Sequence, residues 1–146
     1  MVDITDTIVV VDASVWVSWL ITYDVNHGAS LLWIERYIAG GGLLIAPAFL
    51  LIEVAAAVSR QAGHPTLGRE AIRTLYYVRS MRFMSLDSAF IWTAVEVAAD
   101  LQLRAGDATY LAVARQLNIP LVSWDREQLQ KAGNLATTYT PRDYAF

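Results

Sequence analysis

The amino-acid sequence predicts an α/β fold with a mostly parallel sheet. Three observations carry that expectation. Short β-branched or apolar runs alternate with stretches of helical periodicity along the whole chain. Glycine, proline and small polar residues punctuate the joins. Finally, 146 residues of even composition, 55% of them apolar, suit one domain spanning 1–146 and no second one.

Taken in order, residues 8–11 (IVVV) form a β-branched run that reads as a strand ending at Asp12. A helix follows over 14–20, with Trp16, Trp19 and Leu20 at helical spacing. A second helix is expected over 28–38, stopped by Gly40, Gly41 and Gly42, and a short strand over 43–46. Pro47 suits the first turn of a helix running to about 61, closed by Gly63 and Pro65. A helix over 66–79, a brief strand over 82–85 and a helix capped by Asp87 or Ser88 come next, the last with Ile91, Val95, Ala98 and Leu101 in register. The final long helix covers 106–117. An apolar strand over 120–124 ends at Asp125, a short helix reaches about 132, and a closing strand is expected over 136–140.

Composition narrows the function. There is no cysteine, which excludes disulfides, thiolate metal sites and cysteine nucleophiles and is compatible with a reducing compartment, the cytoplasm. The start carries acids and no basic region before its apolar run, so it does not read as a signal peptide. The longest apolar stretch, 43–58, is interrupted by Pro47 and Glu53 and is too short to span a membrane. A net charge of −3 gives no global attraction to phosphate. Local charge differs: Arg60, Arg69, Arg73, Arg79 and Arg82 stand against Glu70 alone, a local +4 that leaves −7 elsewhere. Arg60, Arg69 and Arg73 are candidates for contacting an anionic substrate or a partner, or they form an ordinary solvated helix face.

The chemistry-bearing residues are four acids. Asp12 and Asp125 each end a predicted strand, and in open parallel sheets that edge is where ligands gather. Each also suits a helix N-cap, and Gln128 stands at capping-box spacing from Asp125. Glu53 has apolar helical neighbours in Phe49, Leu50, Ala56 and Ala57, so it should be buried, where a carboxylate needs a cation or strong donors. The alternatives are a helix edge that reaches water or a pair with Arg60. Asp107 lies on the stripe of Leu111 and Ala114, or caps the helix after Gly106. Together, with no histidine pair at ligand spacing, the four describe an oxygen-only site suited to Mg²⁺ or Mn²⁺.

The segments VVDASVW, LLIEVAAAV and LRAGDATYLAVARQLNIPLVSWD, in this order and spacing, resemble the PIN domain, and in size and layout the VapC type of toxin ribonuclease. The likeness runs from about 8 to 140. It implies a three-layer α/β/α fold with a central parallel sheet of about five strands. It also implies metal-dependent hydrolysis of RNA, with metal-binding and catalytic acids at Asp12, Glu53, Asp107 and Asp125 and supporting hydroxyls at Ser14 and Ser123, which otherwise read as ordinary cap or loop hydroxyls. A homodimer and a small antitoxin belong to the same expectation. Gly106 and Trp124 depart in size from the usual pattern and would reshape substrate entry.

Trp16 and Trp19 read as core or dimer packing, and His27 and His64 receive no role. A phosphoaspartyl phosphatase would also place an acid after its first strand, yet it needs a lysine near the acids, and Lys131 is the only lysine in the chain. A noncatalytic PIN-like binding module stays open as the other alternative.

Overall fold

The computed structural model describes residues 7–146. Residues 1–6, on which the reading of the chain's start rests, lie outside the described residues. The described residues form a five-stranded sheet in the order β3-β2-β1-β4-β5, parallel throughout. The strands are β1 (Ile8–Val11), β2 (Leu43–Pro47), β3 (Met81–Met84), β4 (Leu121–Val122) and β5 (Thr138–Tyr139). Among them run α1 (Ala13–Leu20), α2 (His27–Ala39), α3 (Leu50–Ala62), α4 (Pro65–Tyr76), α5 (Ser88–Leu101), α6 (Ala105–Leu117) and α7 (Arg126–Ala132).

The strand order explains the layers. From β1 the chain steps outward to β2 and β3 through α1 to α4, then returns across the sheet through α5 and α6 to β4 and onward through α7 to β5. Right-handed crossovers put the outbound helices on one face and the returning helices on the other. Accordingly α1 packs on α2 and α3, α3 on α4, and α6 lies against β1, β2 and β4 with α5 and α7 beside it. This is a three-layer α/β/α sandwich. Val9, Val10 and Val11 of β1 and Leu121 and Val122 of β4 are fully buried, as central strands covered on both faces must be. The direction of travel reverses between β1 and β4, so the crevice for ligands opens beyond the carboxyl ends of those two strands.

Most elements fall where periodicity puts them, with corrections at their ends. Pro47 does not open a helix; it closes β2, paired with Met84, and α3 begins three residues later. A proline's fixed φ suits extended backbone as well as a first helical turn, and here the following Ala48 N–H donates to Met84 O at 2.8 Å. The strands 120–124 and 136–140 shrink to two residues each, although Ser123 N still donates to Tyr139 O at 3.0 Å. Helix α4 ends at Tyr76 rather than Arg79. Gly42 has a specific cause: a Cβ there would collide with the Tyr37 ring, which packs directly over that turn. His64, given no role from sequence, caps α4 by accepting from Thr66 N at 3.2 Å. Trp16 is fully buried and meets Trp19 edge-on at 5.4 Å, the packing role expected of both.

Candidate active site

Asp12 follows β1 directly and caps α1, its Oδ2 accepting from Ser14 N at 3.1 Å and from Ser123 Oγ at 3.0 Å. Both contacts use the same oxygen, and Oδ1 makes no hydrogen bond among the described residues. The side chain is 5% exposed, and burial pushes its carboxyl above the ordinary range, against the pull of its hydrogen bonds to Ser14 and Ser123; Asp125 adds a further push. Capping α1 therefore occupies one carboxylate oxygen of the candidate residue.

The two hydroxyls expected to support the acids do so in a defined relay. Ser123 Oγ donates to Asp12 and accepts from Asp125 N at 2.9 Å. Its single proton being committed, Ser14 supplies the proton of the 3.4 Å Ser14–Ser123 contact, and Ser14 Oγ accepts from Trp124 N at 3.0 Å. With Asp12 N donating to Val122 O at 3.0 Å, these bonds tie the end of β1 to the end of β4.

Asp125 divides its oxygens likewise. Oδ1 caps α7 by accepting from Gln128 N at 3.1 Å, while Oδ2 accepts from Arg104 Nη2 at 3.1 Å. Asp107 sits at the third residue of α6, inside the helix, so the reading of this residue as the cap is replaced: Arg104 holds the cap position. Its Oδ2 accepts from Arg104 Nε at 3.2 Å. Burial raises its pKa first, then Asp125 and Asp12, with Arg104 opposing.

Glu53 is only half-buried, and its neighbour Ile52 is 72% exposed. The expected buried site becomes a rim position, because α3 shows that edge to a cleft and not to a packed layer. Its partner is not Arg60: Tyr110 Oη donates to Glu53 Oε1 at 2.8 Å. Burial lifts the Glu53 carboxyl to about 7, with the Tyr110 bond opposing and Asp12 and Asp107 raising it further. The glycine at position 106 has a local use, since a Cβ there would stand 3.2 Å from Glu53 Oε2.

The structure thus brings Asp12, Glu53, Asp107 and Asp125 into one electrostatic neighbourhood, in which Asp12, Glu53 and Asp107 are all raised by other members of the set. Among the described residues no three such side chains form a ready-made ion cage; two of them share Arg104 instead. The donor chemistry, four carboxylates without imidazole or thiolate, fits a hard divalent cation, and the surplus negative charge is what such a cation relieves.

Beside the acids opens a cleft of about 540 Å³ whose walls include Ser14, Asn26, Glu53, Arg60, Gln61 and Trp124. Of the three candidate arginines, Arg60 reaches this cleft. Arg69 lines a separate, mostly apolar groove between α3 and α4, and Arg73 lies exposed on α4 away from both. Sequence reasoning missed Arg104 and Tyr110. Both stand three residues from Asp107, on the same helical face, and that spacing was the available signal. Gln128, read from sequence only at its capping-box spacing from Asp125, is fully buried, and its Nε2 donates to Asp107 O at 3.0 Å and ties α7 to α6.

Fold and site define an α/β/α domain with a cluster of acids at the switch point of a parallel sheet and a cleft beside it. The chain belongs to the PIN domain family, whose sequence model matches residues 9–134. Solved structures of similar fold include Mycobacterium tuberculosis VapC20, described as a Sarcin-Ricin loop cleaving toxin, at 22% identity over 86% of this chain and 95% of that one, with a TM-score of 0.70. VapBC2 from Rickettsia felis, bound to a DNA fragment from its promoter, matches at 11% identity over 91% and 98%, with a TM-score of 0.70. A toxin-antitoxin complex from Klebsiella pneumoniae matches at 12% over 94% and 99%, with a TM-score of 0.60. No curated protein matches the chain in sequence. Among the described residues no helix is long and apolar enough to cross a membrane.

Proposed function

We propose that this chain is a metal-dependent endoribonuclease and the toxin of a toxin-antitoxin pair. The observation that carries the reading is the gathering of four acids from β1, α3, α6 and the end of β4 at the sheet's switch point, with three of them held above their ordinary pKa. The likeness to VapC20, a toxin described as cleaving the Sarcin-Ricin loop, supports RNA as the substrate, and the likeness to a toxin-antitoxin complex supports a small antitoxin as partner. The homodimer and the cytoplasmic setting belong to the same proposal.

In this reading Asp12, Glu53, Asp107 and Asp125 hold Mg²⁺ or Mn²⁺. Bound there, the ion would neutralise a phosphodiester and acidify the attacking water. The chain's own residues do the positioning. Ser123 and Ser14 N fix the Asp12 carboxylate by its Oδ2, and Tyr110 fixes one oxygen of Glu53. Arg104, which pairs with Asp107 and Asp125, would be available to a phosphate oxygen if a cation held those two carboxylates.

The test is cleavage of RNA by the purified chain, freed of any bound partner, with Mn²⁺ or Mg²⁺. Asp12→Asn keeps the shape and the Oδ acceptor but removes a charge, and is expected to lower the rate by about 100-fold or more, the upper range seen when only the support of a ligand is lost. Equal inactivity of both proteins would retire the reading. The pairing of Arg104 with Asp107 and Asp125 favours one second reading, a noncatalytic PIN-like module whose acids serve structure. A melting temperature indifferent to Mn²⁺ in the parent protein would favour it.

A further inference from the structure

Trp124 stands where the sequence pattern led one to expect a smaller residue, and the structure shows how firmly it is held. Its backbone N–H donates to Ser14 Oγ at 3.0 Å, and its indole Nε1 donates to Ser30 Oγ at 2.8 Å. Ser30 is in turn held by Ser18 Oγ at 2.6 Å, and Ser18 Oγ donates to Val15 O at 2.8 Å. Arg142, which is not among the walls of the cleft, lies over the ring at 5.5 Å from its centroid. A tryptophan anchored at its backbone and its indole nitrogen, and packed on by a guanidinium, has little freedom left to lose on binding.

Some of the cleft's other polar groups are engaged, Asp24 Oδ1 accepting from Asn26 N at 2.8 Å and Ser18 Oγ bonding Ser30 Oγ, and others are not. Among the described residues the side-chain amides of Asn26 and Gln61 make no hydrogen bond, and the Arg60 guanidinium makes no ion pair. All three line the same cleft as Trp124, which also shares Ser14 and Glu53 with the acidic cluster. A fixed aromatic wall, free amides that both donate and accept, and a free cation are the three things an unpaired nucleotide uses: a face to stack on, an edge to match and a charge for its phosphate.

We propose that this cleft is a subsite for one unpaired base of an RNA strand, stacked on Trp124, with its edge read by Asn26 and Gln61 and its backbone held by Arg60. Because Trp124 adjoins Asp125 in the chain, the base seated there flanks the phosphate presented to the acids. The subsite rests on the nuclease reading above, and supplies that reading with a source of sequence preference. Paired RNA is excluded, since a base inside a duplex offers no free face.

The experiment uses the full chain and fluorescein-labelled single-stranded oligoribonucleotides of ten residues, varied one base at a time. Affinity is read by anisotropy in EDTA, and cut sites are mapped separately in Mn²⁺. Trp124→Leu is expected to weaken binding by about 10-fold or more, the usual loss for one stacked base. Asn26→Ala with Gln61→Ala, which leaves the tryptophan's bonds intact, is expected to flatten the base preference at one position next to the cut with a smaller loss of affinity. Should Trp124→Leu not fold by circular dichroism, the amide pair decides alone. Parent-like affinity and base preference in the folded variants would overturn the subsite and leave the cleft to a protein partner. Trp124-dependent binding without cleavage by the parent would retire the nuclease reading and keep the subsite; cleavage with one unchanged pattern in every variant would do the reverse.

Discussion

Around Thr7, Gly42 and Pro120, which stand immediately before β1, β2 and β4, the chain gathers aromatic rings: Trp33 stacks on Tyr37 at 5.2 Å, Tyr144 meets Trp33 edge-on at 5.6 Å, and Phe146 meets Tyr144 at 5.3 Å with Arg36 lying 4.3 Å over its ring. Beyond the other ends of β1 and β4, it gathers carboxylates. Both groups draw on residues far apart in sequence, yet they work in opposite directions energetically. Removing the rings of Trp33 and Tyr37 from water stabilises the fold, less the cost of burying Trp33 Nε1 without a hydrogen-bond partner among the described residues. Burying Asp12, and half-burying Glu53 and Asp107 beside it, opposes their charged forms, which the proposed metal site would need. The acidic end persists because its backbone is fixed for other reasons: the caps of α1 and α7 and the hydrogen bonds linking β1 to β4 hold the carboxylates in place. The aromatic end contributes stability, and the acidic end spends some of it.

Three changes break or sharpen that contrast. The largest is Trp33→Ala, expected to cost about 3–5 kcal/mol in urea unfolding, as deletion of a fully buried ring does. Cleavage per folded molecule should stay at the parent value, and loss of cleavage in a folded variant would show that the two ends are not independent.

The second concerns pH. Glu53 titrates near 7 in the folded chain, above its ordinary value of 4.5, so the folded state holds its proton more tightly than the unfolded state does. Its contribution to stability is therefore complete below about 4.5 and is lost as pH rises through about 7. Asp12 and Asp107 are shifted in the same direction. Metal-free melting temperatures should fall across that window, and Glu53→Gln should flatten the slope. A parent protein that gains stability over the same range would contradict the assignment.

The smallest effect is expected at Arg104, whose side chain is 76% exposed, so that its ion pairs are screened by solvent. Arg104→Gln should scarcely move the melting temperature. It should nonetheless tighten Mn²⁺ binding in calorimetry, because a competitor for Asp107 and Asp125 has gone. Weaker Mn²⁺ binding would mean that Arg104 organises the two acids and does not compete for them.

Much of the fold and site was legible in the residues. The run IVVVD announces a central strand closed by an acid, and the order of the acids from Asp12 to Asp125 is what suggested the family. Other features were hidden by their nature. Pro47 has a backbone that serves strand and helix alike, so only its pairing with Met84 decides between them. Glu53 looks buried because its neighbours are apolar, but apolar residues also line clefts, and Ile52 is open to solvent. Tyr110 becomes the partner of Glu53 only because α6 crosses to the end of α3, a contact 57 residues apart in sequence.

By itself the sequence determined the alternation of strands and helices and the family, and it singled out the four acids as candidates, since periodicity, caps and spacing are local properties written into consecutive residues. The tertiary structure alone decided which side chains share a proton or a charge: that Ser123 serves Asp12, that Arg104 spans Asp107 and Asp125, and that Trp124 walls a cleft beside them. Those depend on strand order and helix placement, and the long-range contacts that set them are summed over the whole core, with no short segment carrying their signature.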